Sequence, residues 1–107
     1  MLTIAICDDS SEFRRVFKNA IKKLIKEIFP ESLQNFVLAD FSQSKKVIDY
    51  LETDAIDILF LDIDMPEMNG LELAKHLVWK NADTVIVFVS GYDKFVYEVL
   101  SFLHLHF

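Results

Sequence analysis

The sequence has too few cysteines for an internal disulfide bond and no excess of positive charge that would attract nucleic acid. Its single cysteine, Cys7, lies within an apolar segment, which predicts a small buried side chain in a reducing compartment rather than a disulfide partner or metal ligand. Acidic residues outnumber basic ones by 17 to 11, and the net charge of −6 excludes a general nucleic-acid-binding surface for this domain.

Long apolar runs are also missing. No stretch approaches the roughly 20 apolar residues that a membrane-spanning helix needs. The N-terminus begins directly with a strand pattern, so we expect no signal peptide, no membrane insertion and a cytoplasmic location. With 107 residues, 52% of them hydrophobic and ten of them Phe, the chain is large and apolar enough to bury the core of one domain.

Apolar strand patterns alternate with amphipathic helical patterns along the chain. Strands are predicted at 2–7, 35–41, 56–61 and 84–89, and helices from Ser10 or Ser11 to Pro30, at 44–53 with a serine cap, and at 71–80. This alternation predicts an α/β fold, an open doubly wound parallel sheet with helices on both faces. For the uniformly apolar residues 92–107 we favour a helix followed by a fifth strand over one longer helix.

The spacing of apolar residues also predicts which helical side chains face the core. The predicted inward residues are Phe13, Val16, Phe17, Ala20, Leu24 and Ile28 in the first helix, and Leu71, Ala74, Leu77 and Val78 in the third. The fourth strand is apolar almost throughout, which predicts burial on both faces.

Acidic residues follow two of the predicted strands. Asp8 and Asp9 come after the first strand and Asp62 after the third. Because ligands of open parallel sheets bind at the carboxyl ends of the strands, these side chains should face one crevice, together with Ser90 after the fourth strand. Neighbouring carboxylates repel one another, and a Mg²⁺ ion with its preference for oxygen ligands would relieve that repulsion. Such a site favours phosphoryl transfer, with Asp62 as nucleophile and Ser90 as a hydrogen-bond donor to a phosphoryl oxygen.

Each of these residues also has an ordinary structural interpretation. Asp8 and Asp9 could merely begin a helix, where carboxylates are favoured by capping and by the helix dipole. Asp62 could be a loop carboxylate, and Ser90 could cap the next helix while also binding a phosphoryl group.

These motifs together resemble the receiver domain of two-component response regulators. Residues 61–70 match that family's phosphoacceptor loop, with Pro66 four and Gly70 eight residues after the acceptor. The pair at 8–9 matches its acidic pair, and residues 90–91 match its hydroxyl residue and small neighbour. The resemblance covers essentially the whole chain and implies a flavodoxin-like sheet with strand order 2-1-3-4-5.

The resemblance implies that Asp62 accepts a phosphoryl group from a phosphohistidine of a sensor histidine kinase or phosphotransfer domain. Implied Mg²⁺ ligands are Asp9 and Asp62 directly, Asp8 through a water molecule and Asp64 through its backbone carbonyl. Ser90 and Phe107 would form the switch that phosphorylation moves. The domain would assist its own phosphorylation and dephosphorylation without being a turnover enzyme.

The chain departs from the family at its end. The family has a Lys three residues beyond the switch aromatic and then a fifth helix, whereas this sequence ends at Phe107. We therefore interpret residues 1–107 as a receiver domain truncated before its last helix and separated from an output domain that binds DNA. Residues 91–98 resemble receivers with a LytTR-type output. We also expect self-association through the apolar C-terminal segment.

Two other functions remain open. One is a receiver-like dimerisation module that works without phosphorylation. The other is a phosphohydrolase of the haloacid-dehalogenase type, suggested by Asp62-Ile63-Asp64 but disfavoured because that motif normally follows the first strand. Six basic residues of the first helix form either a solvated face or a docking surface for an acidic kinase: Arg14, Arg15, Lys18, Lys22, Lys23 and Lys26.

Overall fold

The computed structural model describes residues 1–31, 35–80 and 82–89. The helices and strands along these residues are β1 (Leu2–Cys7), α1 (Ser11–Ile28), β2 (Phe36–Phe41), α2 (Ser44–Tyr50), β3 (Ile58–Asp62), α3 (Gly70–Trp79) and β4 (Val85–Val89). The strands form a parallel sheet in the order β2-β1-β3-β4. The predicted α/β class and the first four positions of the strand order are thus confirmed. The predicted fifth strand lies outside the described residues.

Strand alternation divides the core between the two faces of the sheet. Ala5 and Cys7 of β1 and Leu59 and Leu61 of β3 are fully buried on one face, in a cluster that also contains Val47 of α2 and Leu73 of α3. Phe60 points to the opposite face, where its ring lies 4.8 Å from that of Phe17 in α1. Helices therefore cover both faces, as the doubly wound arrangement requires. None of the described helices is both long and apolar enough to span a membrane.

The orientation of α1 differs from the one predicted by its apolar spacing. Ile25 is buried at 7% exposure, whereas Leu24 is 49% and Ile28 62% exposed. Of the other residues predicted to face inward, Phe17 packs on Phe60, but Val16 and Ala20 are exposed. Arg14 and Lys18 both reach Asp40 of β2, so their side of α1 also faces the sheet.

The prediction for α3 was wrong at two positions. Leu71 and Val78 are exposed, and the buried residues are Gly70, Leu73 and Leu77. Gly70 fixes this rotation, because its Cα lies against the backbone of Asp62 in β3. Glycine has no side chain, so a pattern of apolar residues in the sequence does not show that this position faces the sheet.

Two further sequence predictions need correction. β4 is not buried on both faces within the described residues, since Val85 is 61% exposed. The predicted serine cap of α2 is also wrong, because the N-cap is Gln43 and makes no side-chain capping bond. The cap of α1 is Ser10, whose Oγ accepts a hydrogen bond from the Phe13 N–H at 3.1 Å.

The adjacent residues Leu24 and Ile25 allow a direct test of the rotation of α1. Ile25→Ala should lower the free energy of unfolding by about 2–4 kcal/mol, because it removes a buried side chain. Leu24→Ala should lower it by less than about 1 kcal/mol, because about half of that side chain is already in water. Urea unfolding of both variants measures the difference, and the reverse order of effects would contradict this helix orientation.

Candidate functional site

Three carboxylates meet at the carboxyl edge of the sheet. Asp8 and Asp9 directly follow β1, and Asp62 is the last residue of β3. Cys7 pairs with Leu61 in the β1–β3 register, so the two parallel strands deliver these side chains at the same level. One oxygen of each carboxylate lies within 4.8 Å of the others. The cluster predicted from the sequence is therefore present.

Backbone contacts fix the position of Asp62. Its Oδ1 accepts a hydrogen bond from the Asp64 N–H at 3.1 Å, which brings Asp64 to the cluster. On either side of that contact, the Ile63 N–H donates to the Val89 carbonyl at 3.3 Å and the Gly70 N–H donates to the Ile63 carbonyl at 2.9 Å. Asp62 itself is only 2% exposed. A rigid loop thus presents one almost fully enclosed carboxylate.

Asp8 is held just as closely. Its Oδ1 accepts from the Ser10 N–H at 2.8 Å, and its own N–H donates to the Phe41 carbonyl at 3.0 Å. Arg14 donates from Nη1 to the Asp8 carbonyl at 2.7 Å. Asp9, by contrast, is exposed. The cluster therefore has a buried side, formed by Asp8 and Asp62, and one ligand that faces the solvent.

Arg14 also connects the cluster to the neighbouring strand. Its Nε donates to Asp40 Oδ2 at 3.0 Å, and Lys18 donates to the other oxygen at 3.0 Å. Partial burial raises the pKa of Asp40, but the two hydrogen bonds outweigh that effect and hold it below its usual value. Two of the six basic residues of α1 are thus committed to Asp40. The others, Arg15, Lys22, Lys23 and Lys26, are exposed, and both interpretations of that face remain open.

The pKa values of the carboxyl groups at this edge of the sheet are shifted by burial and by neighbouring negative charges. Burial, together with the negative charges of Asp8, Asp9 and Asp64, raises the pKa of Asp62 to about 6, against the opposing hydrogen bond from the Asp64 N–H. Burial also raises the pKa of Asp8, and that of the Cys7 thiol to about 12. Cys7 is fully buried, as predicted, and its sulfur lies 3.8 Å from that of Met65. A thiol this weakly acidic stays protonated at neutral pH and is no nucleophile.

Sequence reasoning missed a second support of the loop that follows Asp62. Ser44, which is 2% exposed, donates from Oγ to the Met68 carbonyl at 2.9 Å and so ties the start of α2 to the loop between β3 and α3. Glu67 in the same loop adopts a left-handed backbone with φ of 64°. In the sequence, a serine near the start of a helix is interpreted as an N-cap. Only the observed contact shows that Ser44 binds a loop distant in sequence. Arg14 was likewise hidden among the other basic residues.

The capping box at the start of α3 completes the loop. Asn69 Oδ1 accepts from the Glu72 N–H at 2.9 Å, and Glu72 Oε1 accepts from the Asn69 N–H at 3.2 Å. Of the predicted site residues, Asp8, Asp9 and Asp62 lie together, and the Asp64 N–H contacts Asp62. The predicted roles of Ser90 and Phe107 lie outside the described residues.

Comparison with known proteins agrees with this geometry. Residues 4–102 match the family model of the response regulator receiver domain, and the chain belongs to that family. An uncharacterized response regulatory protein of Yersinia pestis is 33% identical over 97 residues, covering 89% of this chain and 36% of the relative. A similar uncharacterized protein of Vibrio cholerae is 28% identical, covering 87% of this chain and 33% of the relative. The chain thus spans about a third of each of these two relatives.

Further matches concern one more sequence and two solved structures. Sensory transduction protein LytT of Bacillus subtilis is 27% identical over 94% of this chain and 39% of the relative. The structure of the MaeR response regulator bound to beryllium trifluoride has a TM-score of 0.71 at 19% identity, covering 98% of this chain and 79% of that one. TrrA of Thermotoga maritima, in complex with Mg(2+)-BeF, has a TM-score of 0.70 at 20% identity, covering 95% and 80%. The fold is therefore that of CheY-like receivers.

The raised pKa of Asp62 makes folding stability depend on pH. This pKa is about 6 in the folded state and 3.8 for an unperturbed aspartate, so the folded state binds more protons between these values, and stability falls as pH rises through that range. Asp62→Asn should therefore raise the free energy of unfolding by about 3 kcal/mol at pH 7.5 in metal-free buffer, and by little at pH 4.

Urea unfolding at the two pH values measures this effect. Asp49→Asn, an exposed change on α2, is the matched control and should leave stability within about 0.5 kcal/mol. If Asp62→Asn raised the free energy of unfolding equally at pH 4 and pH 7.5, the effect would not come from the charge of Asp62.

The close approach of Gly70 to β3 gives a second test. A Cβ on residue 70 would overlap the Asp62 carbonyl oxygen and lie 2.9 Å from the Ile63 Cα, so backbone must shift. Gly70→Ala should cost about 2 kcal/mol or more despite the better helix propensity of Ala. Lys75→Ala, an exposed change on α3, should cost less than about 0.5 kcal/mol. Thermal unfolding compares the two, and an unchanged stability of Gly70→Ala would contradict the described packing.

Proposed function

We propose that this receiver domain is a phosphoacceptor that takes a phosphoryl group from a phosphohistidine onto Asp62. The observation that carries the proposal is one buried carboxylate, held by the Asp64 N–H and placed beside Asp8 and Asp9 at the edge of the sheet. In the transfer, the oxygen of Asp62 that is not held by Asp64 forms a bond to phosphorus. The phosphorus–nitrogen bond breaks, and its electron pair returns to the imidazole of the donor, which takes up a proton.

The donor set fits a hard divalent cation. Mg²⁺ prefers oxygen ligands, usually takes one or two carboxylates and keeps several water molecules. Asp9 and Asp62 would bind it directly, Asp8 through water and Asp64 through its backbone carbonyl. When bound, the ion supplies positive charge that offsets the carboxylates and the phosphoryl oxygens. The raised pKa values of Asp62 and Asp8 support this assignment, because both carboxyls are buried next to like charges that a cation would offset.

The ligands bound in two structurally similar receivers support this assignment. TrrA is in complex with Mg(2+)-BeF and MaeR is bound to beryllium trifluoride. Fluoroberyllate is a small anion with the shape and charge of a phosphoryl group. At 20% and 19% identity these neighbours share the fold, and the acidic cluster of this chain is where the same chemistry would take place.

We extend the proposal to the remaining roles predicted from the sequence. The phosphoryl donor is a sensor histidine kinase or phosphotransfer domain in the cytoplasm. Ser90 donates a hydrogen bond to the phosphoryl group, and Phe107 moves with it as the switch. Residues 1–107 then act as the receiver part of a longer regulator whose output binds DNA, and the C-terminal apolar segment self-associates. The chain turns over no substrate of its own.

The haloacid-dehalogenase alternative has little support from the structure. Its Asp-x-Asp motif normally follows the first strand, whereas Asp62-Ile63-Asp64 comes at the end of β3. The phosphorylation-independent module differs from the phosphoacceptor in one measurable respect, which is whether Asp62 is modified.

Phosphorylation with acetyl phosphate in Mg²⁺ buffer tests the proposal. Mass spectrometry of tryptic peptides should locate the added phosphoryl group on Asp62, and Asp62→Asn should abolish it. Asp9→Asn should slow the reaction by about tenfold or more, because a direct cation ligand is lost. The matched control Asp54→Asn, an exposed carboxylate away from the cluster, should react normally. Modification that persists in Asp62→Asn, or none in a longer chain that carries the family's Lys, would refute the proposal.

A further inference from the structure

A second concave site lies at the opposite end of the sheet from Asp62. It is a cavity of about 710 Å³ between the C-terminal ends of α2 and α3 and the segments that precede β3 and β4. β3 separates it from the carboxylate cluster by roughly 15 Å, at about 3.3 Å per residue. Ligands of open parallel sheets normally bind at the carboxyl ends of the strands, so the phosphoacceptor role makes no use of this cavity.

The floor of the cavity is apolar. Ile56 and Leu77 are 2% and 3% exposed and close its base, and Ile48 and Leu51 of α2 are partly buried at its side. A volume of this size falls within the range of about 300–1,000 Å³ that is typical of small-ligand sites. The site therefore has room and apolar surface for the body of an organic molecule.

The rim is negatively charged. Four lining residues are carboxylates, and the one lining lysine is Lys80. Asp57 already accepts a hydrogen bond from the Thr3 N–H at 2.7 Å, and Asp54 accepts one from Thr53 Oγ1 at 2.9 Å. Glu52 and Asp83, both exposed, make no ion pair with any described residue. These two carboxylates are thus available to a cation above the apolar floor.

Lys80 and His76 also line the cavity, and Lys80 makes no ion pair with a rim carboxylate among the described residues. The ammonium group of Lys80 lies 5.9 Å from the centre of the Trp79 ring. Trp79 is 78% exposed and is the single tryptophan of the chain. Its fluorescence therefore reports on the neighbourhood of the cavity.

We propose that this cavity is a second binding site, for a small ligand that combines an apolar body with one cationic group, such as an arylalkyl amine. The apolar body would lie on Ile56 and Leu77, and the cation would face Glu52 and Asp83. Binding there would not require Asp62, so the site is separate from the proposed phosphoacceptor function.

Phenethylamine is a suitable probe, with neutral 2-phenylethanol and anionic phenylacetate as matched compounds. Titration of the 107-residue chain, followed by Trp79 fluorescence and by amide shifts in two-dimensional NMR, should give a dissociation constant on the order of 1 mM for phenethylamine. The neutral and anionic compounds should bind about fivefold more weakly or not at all. The shifts should map to the ends of α2 and α3.

Paired variants distinguish binding at the cavity from a general attraction of a cation to an acidic protein. The double change Glu52→Gln and Asp83→Asn should weaken phenethylamine binding about fivefold. The double change Glu12→Gln and Glu27→Gln, on α1, removes the same charge and should leave it unchanged. Ala55→Phe, at an exposed lining position, should block the cavity, with circular dichroism showing that the fold is retained.

Three results would overturn the proposal. One is equal binding of the three compounds, and another is equal weakening by the two charge-matched double variants. The third is binding of an amphipathic Leu/Lys peptide at this end of the sheet with no binding of phenethylamine. Asp62→Asn should bind phenethylamine normally, so a failure of the phosphoacceptor proposal would be distinguishable from a failure of this one.

Discussion

Mutual repulsion among the carboxylates of Asp8, Asp9 and Asp62 is the constraint on which the rest of the site depends. Charges no more than 4.8 Å apart repel by at least roughly 3 kcal/mol per pair at an effective dielectric of 20. The fold tolerates the cluster because backbone N–H groups of Ser10 and Asp64 each stabilise one carboxylate, and because Asp9 stays exposed to water. Burial, and after it the charges of the neighbouring carboxylates, still raise the pKa of Asp62 to about 6. In the proposed function, a divalent cation and a phosphoryl group complete the site.

The surrounding structure serves to hold these side chains together. The parallel register brings the ends of β1 and β3 to one level, and Arg14 joins the end of β1 to β2 through the Asp8 carbonyl and Asp40. On the other side, Gly70 lets the first turn of α3 lie directly against the Asp62 backbone, and Ser44 holds the loop at Met68. The carboxylate cluster is therefore held by contacts from three helices, which suits the proposed chemistry because phosphoryl transfer depends on positioning.

Much of this could be predicted from the sequence. The bounds of the strands agree with the structure within two residues, because each is a short apolar run with clear ends. The cluster at residues 8, 9 and 62 followed from one rule, that the carboxyl ends of parallel strands share an edge. Membership of the receiver family was already suggested by the loop at 61–70 and is confirmed by the match over residues 4–102.

The rotation of the helices could not be predicted in the same way. In α1, Arg14 and Lys18 lie on the side that faces the sheet and reach Asp40, in contacts that span 26 and 22 residues of sequence. In α3 the rotation depends on Gly70, which has no side chain to register in an apolar pattern. The supporting role of Ser44 and the cavity at the far end of the sheet likewise arise from elements that meet only in three dimensions.

The most direct test of the central claim is a pH titration of the Asp62 side-chain carboxyl by ¹³C NMR, with and without Mg²⁺. Without the ion, the pKa should lie near 6, well above the 3.8 of an unperturbed aspartate. Saturating Mg²⁺ should lower it by about one unit or more, on the order expected for a direct cation neighbour. A pKa close to 3.8 in both conditions would contradict the account, because the carboxylates would then be neither crowded nor in need of a cation.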